Sequence, residues 1–357
     1  MNQVKLQAWL QDHEVDAFLL LSDANRRYFT GFTGSNGVVI ITKDRAILIT
    51  DQRYTEQAID QATDFEVVTH GIDPVETFRQ VADALKIESI AYESKRITDD
   101  QLTSWKSLKK EWQWIPTKDV GMRLRAVKTE SEIDLLKKSL AIAEKAFMEV
   151  VELIRPGITE REIKVELEYR MQKYGSEGVA FDTIVASGKR SSLPHGTPID
   201  KKIQWGEPIV IDFGAVYGGY HSDLTRTIWV GDPDPDLYRI FEQVLEAQEK
   251  AIEAIVPGKT CMEIDGVHRE IFTEYGIESY SLRGLGHGVG LEIHEEPRVV
   301  MKNDGIIEEN MVFTVEPGIY IPEVGGIRTE DMVLVTEEGA KTLSVLPKLI
   351  NIGRKGV

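Results

Sequence analysis

Cysteine is almost missing from this chain: Cys261 stands alone among 357 residues, so no internal disulfide can form and the staples of small secreted domains are excluded. Such a composition predicts a reducing, cytoplasmic environment. Long apolar runs are missing too. The longest near the start, Ala17 to Leu21, is far short of the roughly 18 residues that would suggest a membrane span. Met1 to Lys5 lead into an amphipathic stretch with Asp12 and Glu14, without the apolar centre or small-residue cleavage site of an export signal. No membrane partner is expected. Positive charge is scarce: 42 Lys plus Arg stand against 59 Asp plus Glu, a formal net charge of −17. That balance repels phosphate backbones and anionic lipid and argues against a nucleic-acid partner. Compositional bias is absent as well, since 13 prolines, 29 glycines and 42% hydrophobic residues are ordinary for a folding chain. The length suffices for two domains, each with its own core.

Between Leu6 and about Ile115, short apolar runs alternate with helical patterns. Ala17 to Leu21, Val38 to Ile41, Ala46 to Ile49, Glu66 to Val68, Ile90 to Tyr92 and Trp112 to Ile115 read as strands. After Pro74, Val75, Phe78, Val81, Ala82 and Leu85 share one helical face, and Thr98 with Gln101 forms a capping box. This predicts an α/β domain. Pro116 followed by Lys118-Asp119 reads as an exit into a linker, which puts the boundary near residue 122 and the domains at 1–122 and 123–357.

The second region opens with a helix capped by Thr129 and Glu132, carrying Ile133, Leu136, Leu140, Ala143 and Phe147 at helical spacing. An internal repeat follows. Ile154, Pro156, Gly157, Thr159, Glu162, Ile163, Tyr174 and Gly175 recur, each 101 residues later, as Ile255, Pro257, Gly258, Thr260, Glu263, Ile264, Tyr275 and Gly276. Chance reuse of helix punctuation could explain a few matches, but eight at one offset indicate a duplicated half-domain. Each helix is followed by a strand ending in carboxylate-x-glycine, Asp212-Phe213-Gly214 and Glu316-Pro317-Gly318. Two pseudo-symmetric α+β halves are expected, with a site where they meet.

A turn at Tyr217-Gly218 would put Asp212 directly opposite Asp223, with Cβ atoms about 5 Å apart. Like charges so placed need a cation between them or a proton on one. The same logic pairs Glu316 with Glu330 across a turn from Pro322 to Gly326. His287 lies in Gly284-Leu285-Gly286-His287-Gly288-Val289-Gly290, which lacks the spacing of a dinucleotide loop. Further histidines stand in Leu193-Pro194-His195-Gly196 and His294-Glu295-Glu296-Pro297-Arg298. His221-Ser222-Asp223 cannot be a serine relay, because Ser222 points away from its neighbours in a strand, although His221 remains a rival ligand. Cys261 at a helix start reads as structural. Four carboxylates and an imidazole suit Mn²⁺, Co²⁺, Fe²⁺ or Zn²⁺. Charge balance favours two divalent ions with a bridging hydroxide, and hence a hydrolase in which a ligand carboxylate relays the proton. Arg328, two residues before Glu330, falls on the same face and suits oxyanion stabilisation.

These motifs, with Ser222-Asp223-Leu224-Thr225-Arg226-Thr227 and Val315-Glu316-Pro317-Gly318-Ile319-Tyr320, resemble those of the pita-bread metallopeptidases, the family of methionine aminopeptidase, aminopeptidase P and prolidase. The resemblance implies metal ligands at Asp212, Asp223, His287, Glu316 and Glu330. It makes His195 and His294 the histidines that hold substrate and the tetrahedral centre, Glu316 the proton shuttle, and Arg328 part of the site wall. Tyr28-Phe29-Thr30-Gly31-Phe32-Thr33-Gly34-Ser35 and Thr50-Asp51-Gln52-Arg53-Tyr54 resemble the N-terminal domain shared by aminopeptidase P, prolidase and creatinase. The implied fold is therefore a creatinase-like α/β domain followed by an α+β pita-bread catalytic domain. The implied cofactor is a pair of divalent ions, Mn²⁺ first, and the implied substrates are small peptides with proline second. A homodimer is implied as well. Intact ligands speak against creatinase itself and against a non-catalytic binding relative. Arg298 is where a prolidase would meet the free carboxylate of a dipeptide. The compact length and the N-terminal segments favour the aminopeptidase P type, with prolidase as the alternative.

Overall fold

A computed structural model describes residues 2–353. The chain forms two compact units that part between Arg125 and Ala126. The first holds a six-stranded sheet in the order Glu66–His70, Ala46–Asp51, Val38–Thr42, Ala17–Leu20, Ser89–Glu93, Gln113–Thr117. All six expected strands are present. Only Val38–Thr42 runs antiparallel to its neighbours, and the short apolar run Ala17–Leu20 is buried on both faces, as an interior strand must be. Phe78 packs edge-on against Trp105 and Trp112, at ring separations of 4.6 and 5.6 Å. The region read as a linker is instead a helix, Val120–Ala126. Its Arg125 is buried and donates to Asn25 of the same unit, so the chain stays with the first unit past residue 122.

The second unit realises the repeat physically. Glu130–Val151 and Glu160–Lys173 in the first half correspond to Pro235–Ala254 and Cys261–Glu274 in the second. Reciprocal capping boxes form at Thr159/Glu162 and Thr260/Glu263, and each capping threonine bridges a later segment, Thr159 to Lys202 and Thr260 to Ile306. One half contributes a sheet ordered Ile350–Ile352, Leu224–Val230, Pro208–Phe213, Ile184–Ser187. The other contributes Glu295–Val299, Gly286–Gly288, Val312–Val315, Asp331–Thr336, Gly339–Thr342. Pro208–Phe213 is buried at every position, and Phe213 stacks on Phe147 of the long helix at 4.8 Å. Burying such a ring contributes on the order of 1.5–3 kcal/mol, which anchors the strand that carries Asp212.

The register of that strand corrects the sequence reading. Asp212 faces Thr225, not Asp223. The turn lies one residue later than expected, at Gly218-Gly219, both with positive φ (58° and 77°) between the paired Tyr217 and Tyr220. A two-residue hairpin turn of this kind needs two left-handed residues, which glycine supplies and Tyr217 would not. Moving the turn by one residue moves every partner by two. Asp223 thereby becomes the diagonal neighbour of Asp212 on the same face, still within side-chain reach. In the second half, Val315 pairs with Asp331 and Gly318 with Arg328, so a single register brackets Glu316 and Glu330 and sets them face to face.

The helix Cys261–Glu274 buries Asp265 and His268. Neither ring nitrogen of His268 has a hydrogen-bond partner. Burial, reinforced by the cation of Arg269, pushes its pKa down to about 4, below the ~6.5 of an exposed histidine. The unfolded chain therefore takes up a proton first, and stability falls as pH drops from about 6.5 to about 4. His268→Phe is expected to flatten part of this acid dependence. Thermal midpoints of parent and variant at pH 7 and pH 4.5 check it, and an equal fall in both would clear His268 of the effect.

Candidate metal centre

Asp212 is the penultimate residue of the strand Pro208–Phe213, Asp223 precedes Leu224–Val230, and Glu330 lies between Gly325–Arg328 and Asp331–Thr336. Each therefore projects from a strand end or hairpin rather than from a free loop. One carboxylate oxygen from each of the three lies within 4.8 Å of the other two, and all three residues are buried. His287, on the short strand Gly286–Gly288, points Nε2 to 3.5 Å from Asp223 Oδ2 and 3.3 Å from Glu316 Oε1. Its Nδ1 lies 3.1 Å from the Gly288 carbonyl oxygen, the kind of partner that fixes the ring of a metal-binding histidine. Thus the structure brings Asp212, Asp223, His287, Glu316 and Glu330 together.

The glycines around His287 serve neighbouring strands rather than a ligand. A Cβ on Gly286 would stand 1.9 Å from the Thr314 carbonyl oxygen, and one on Gly288 2.1 Å from that of Glu296. Thr314 Oγ1 accepts from the His287 amide and donates to Glu316, both at 3.1 Å. Arg328 is held on several sides. Its guanidinium donates to Asp212 Oδ2 (2.5 Å), Thr225 Oγ1 (3.0 Å), Tyr320 Oη (2.6 Å) and the Pro194 carbonyl (3.1 Å). One N–H remains, and the Pro194 bond steadies the loop that carries His195. Thr225 in turn donates to Glu330 Oε2 at 2.6 Å. The linking roles of Thr225 and Tyr320 went unread in the sequence; the correct hairpin register, which sets Thr225 opposite Asp212, would have exposed the first.

A cavity of about 600 Å³ opens on the cluster. His195, His294, Arg298 and Tyr320 line it together with all five clustered residues. The His294 ring lies 4.3 Å from that of His287; although the residue is exposed at the cavity rim, partial withdrawal of its ring from water, with the neighbouring His287, pushes its pKa down to about 4. The rival ligand His221 lies apart, its amide and Nδ1 both at the Gly290 carbonyl (2.8 and 3.0 Å). Cys261 is buried and its thiol is pushed up to about 11, the opposite of an activated nucleophile.

The donor set fits divalent cations. Burial, together with the neighbouring carboxylates, raises the pKa of Asp223 and Glu330, and burial raises Glu316 to about 7. Asp212 Oδ1 and Glu330 Oε1 are buried without a hydrogen-bond partner, while the second oxygen of each is fixed by Arg328 or Thr225. Four acids confront one guanidinium here, and oxygen-rich clusters of this kind take hard or borderline divalent ions.

The same residues lie inside a known sequence family. Residues 134–337 match Metallopeptidase family M24, and residues 4–127 match the Creatinase/Prolidase N-terminal domain. An Xaa-Pro dipeptidase of Pyrococcus furiosus is 41% identical over 341 residues, covering 95% of this chain and 96% of that protein. Among solved structures, an Xaa-Pro dipeptidase from Bacillus anthracis superposes with a TM-score of 0.96 at 42% identity, covering 98% of this chain and 99% of that one. An X-Pro aminopeptidase from Thermotoga maritima does so at 0.90, also with 42% identity, covering 95% and 98%.

If the cluster binds divalent ions, Mn²⁺ added to metal-stripped protein at a hundred times its Kd should raise stability by about 2.7 kcal/mol for each ion bound. Asp223→Asn should lose most of that gain. Calorimetric unfolding with and without Mn²⁺ measures both, and an unchanged parent midpoint would refute the fit.

Proposed function

We propose that this chain, which belongs to metallopeptidase family M24, is an Xaa-Pro dipeptidase that hydrolyses the bond before proline and prefers substrates ending in that proline. The observation that carries this reading is Arg298. Its guanidinium lines the same cavity as the acidic cluster and has no ion-pair partner among the described residues. A dipeptide whose scissile carbonyl sits at the cluster carries its free carboxylate only one residue away, where a planar guanidinium is a matched partner. The names of the Pyrococcus and Bacillus anthracis relatives support the same choice, which reverses the order that length and N-terminal motifs suggested. The name of the Thermotoga structure supports the second reading, an Xaa-Pro aminopeptidase acting on longer peptides.

In this reading Asp212, Asp223, His287, Glu316 and Glu330 hold two divalent ions, Mn²⁺ before Co²⁺, Zn²⁺ or Fe²⁺. Bound there, the ions supply Lewis-acid polarisation of the scissile carbonyl and a water of lowered pKa. Glu316, oriented by Thr314, takes a proton from the attacking water and delivers it to the proline nitrogen as the C–N bond breaks. That nitrogen is tertiary and has no N–H of its own, so it must be protonated to leave as an amine. His294, neutral at pH 7 because its pKa is held near 4, donates an N–H to the developing oxyanion, and His195 holds the substrate from the same cavity. Arg328 keeps Asp212 in place and offers its remaining N–H to the site. The lone cysteine and the charge of −17 support a cytoplasmic protein without nucleic-acid partners. No helix among the described residues is long and apolar enough to cross a membrane. A homodimer completes the proposal.

Mn²⁺-loaded protein should cleave Ala-Pro with higher kcat/KM than Ala-Pro-Ala. Arg298→Ala should cut dipeptide turnover by about 10- to 100-fold, the equivalent of losing one charge-assisted hydrogen bond, and tripeptide turnover far less. Product identification by mass checks both. Equal losses would sink the carboxylate role, and faster release of alanine from the tripeptide would make this an aminopeptidase.

A further inference from the structure

Residues 344–348 lie beyond the stretch that matches the peptidase family, yet each makes a polar contact behind the acidic cluster. Ser344 Oγ donates to Asp331 Oδ1 at 2.5 Å. The amides of Val345 and Leu346 donate to Glu144 Oε1 at 2.6 and 3.3 Å, which ties the segment to the long helix Glu130–Val151. The carbonyls of Leu346 and Pro347 accept from Arg226 Nη2 and Nε, both at 3.0 Å. Lys348 Nζ pairs with Asp331 Oδ2 and donates to Gln248 Oε1 at 2.8 Å.

The two residues gripped from behind, Arg226 and Asp331, have fully buried side chains and pair with each other at 2.9 Å. They are also the neighbours of the groups that set Glu330. Asp331 follows it directly in the chain, and Arg226 Nη1 donates to the Glu330 carbonyl at 2.6 Å and to that of Thr225 at 2.9 Å. Thr225 fixes the Glu330 carboxylate from the front at 2.6 Å. Beyond the segment, Ile350–Ile352 adds a parallel strand beside Ile228–Val230, so the chain is secured to the Arg226 strand a second time. A polar chain thus runs from Lys348 through Asp331 and Arg226 to the backbone of Glu330, with no solvent-exposed link between them.

We propose that residues 344–348 form a clamp that positions Glu330 through Arg226 and Asp331, and thereby sets the affinity of the cluster for divalent ions. Lys348 and Arg226 are positioning residues in this scheme and touch neither metal nor substrate. The inference rests on the reading that the cluster holds metal.

The test uses full-length, metal-stripped protein. Lys348→Met keeps the aliphatic stem and removes the amino group that contacts Asp331 and Gln248, whereas Lys348→Arg keeps a donor there. Mn²⁺ affinity by titration calorimetry, the thermal midpoint without metal, and kcat and KM for Ala-Pro at saturating Mn²⁺ are compared. Lys348→Met is expected to weaken Mn²⁺ binding tenfold or more, with KM at saturating metal within twofold of the parent, and Lys348→Arg to restore the affinity to within threefold. A change in Mn²⁺ affinity below threefold, even with a lowered midpoint, would make the clamp merely structural and overturn the proposal. If Lys348→Met does not fold, Glu144→Gln at the far end of the clamp is judged by the same threefold limit. A parent that binds no Mn²⁺ would overturn the metal reading and this inference with it, while a parent and variants of equal affinity would overturn this inference alone.

Discussion

Asp212, Asp223, Glu316 and Glu330 meet in one buried place with Arg328 as the cation among them, and the rest of the catalytic unit is arranged to tolerate that. Two unit charges 4 Å apart repel by about 4 kcal/mol at an effective dielectric of 20, so the cluster holds protons or admits cations. Raised pKa values at Asp223, Glu316 and Glu330 express this as a strong appetite for positive charge. What makes the cluster more than an unstable set of acids is its scaffolding. The protein ties one oxygen of Asp212 and one of Glu330 and leaves the other of each without a partner. Free oxygens with fixed orientation are what a metal ion needs and what hydrogen bonding alone would have consumed.

The duplicated architecture explains how five such groups converge. The first half supplies Asp212 and Asp223 from neighbouring strands, and the second supplies His287, Glu316 and Glu330. The halves share capping boxes, turns and a pair of clustered acids each, but the imidazole that meets those acids, His287, comes from the second only. Repetition made the frame, and divergence within it made the site. Contacts such as Thr225 to Glu330 and Arg328 to Asp212 cross from one half to the other, so neither half alone holds its carboxylates in place.

Much of this was legible in the sequence because the governing signals are local. Strand runs and the capping boxes at Thr129, Thr159 and Thr260 each depend on residues a few positions apart, and the 101-residue repeat is the recurrence of such local patterns. Errors arose where two local signals competed. Gly218 and Gly219 both tolerate positive φ, and placing the turn one residue early moved the partner of Asp212 from Thr225 to Asp223. The helix Val120–Ala126 was missed because Pro116 and Lys118-Asp119 look like a linker, whereas burial of Arg125 decides the matter in three dimensions. The bonds of Arg226 to residues 344–347 span more than a hundred positions and leave no periodicity to read.

Rigidity and selectivity are divided between tied and exposed side chains, even where both stand on strands, as His287 and its register partner Arg298 do. The five clustered groups stand on or beside strands, where backbone pairing fixes them. His195, His294 and Arg298 are exposed around the cavity that the cluster closes. Side chains so exposed can be exchanged while every strand stays in register, which the buried acids cannot. That accounts for how a dipeptidase and an aminopeptidase can each share 42% of their residues with this chain: identity summed over a whole chain is dominated by the frame, whereas in the proposed reading the substrate's carboxylate would be met by one exposed residue, Arg298. The physical constraint on the cluster and the chemistry at the rim are separable, because the clustered acids are tied by buried partners while Arg298 stands exposed in the same cavity.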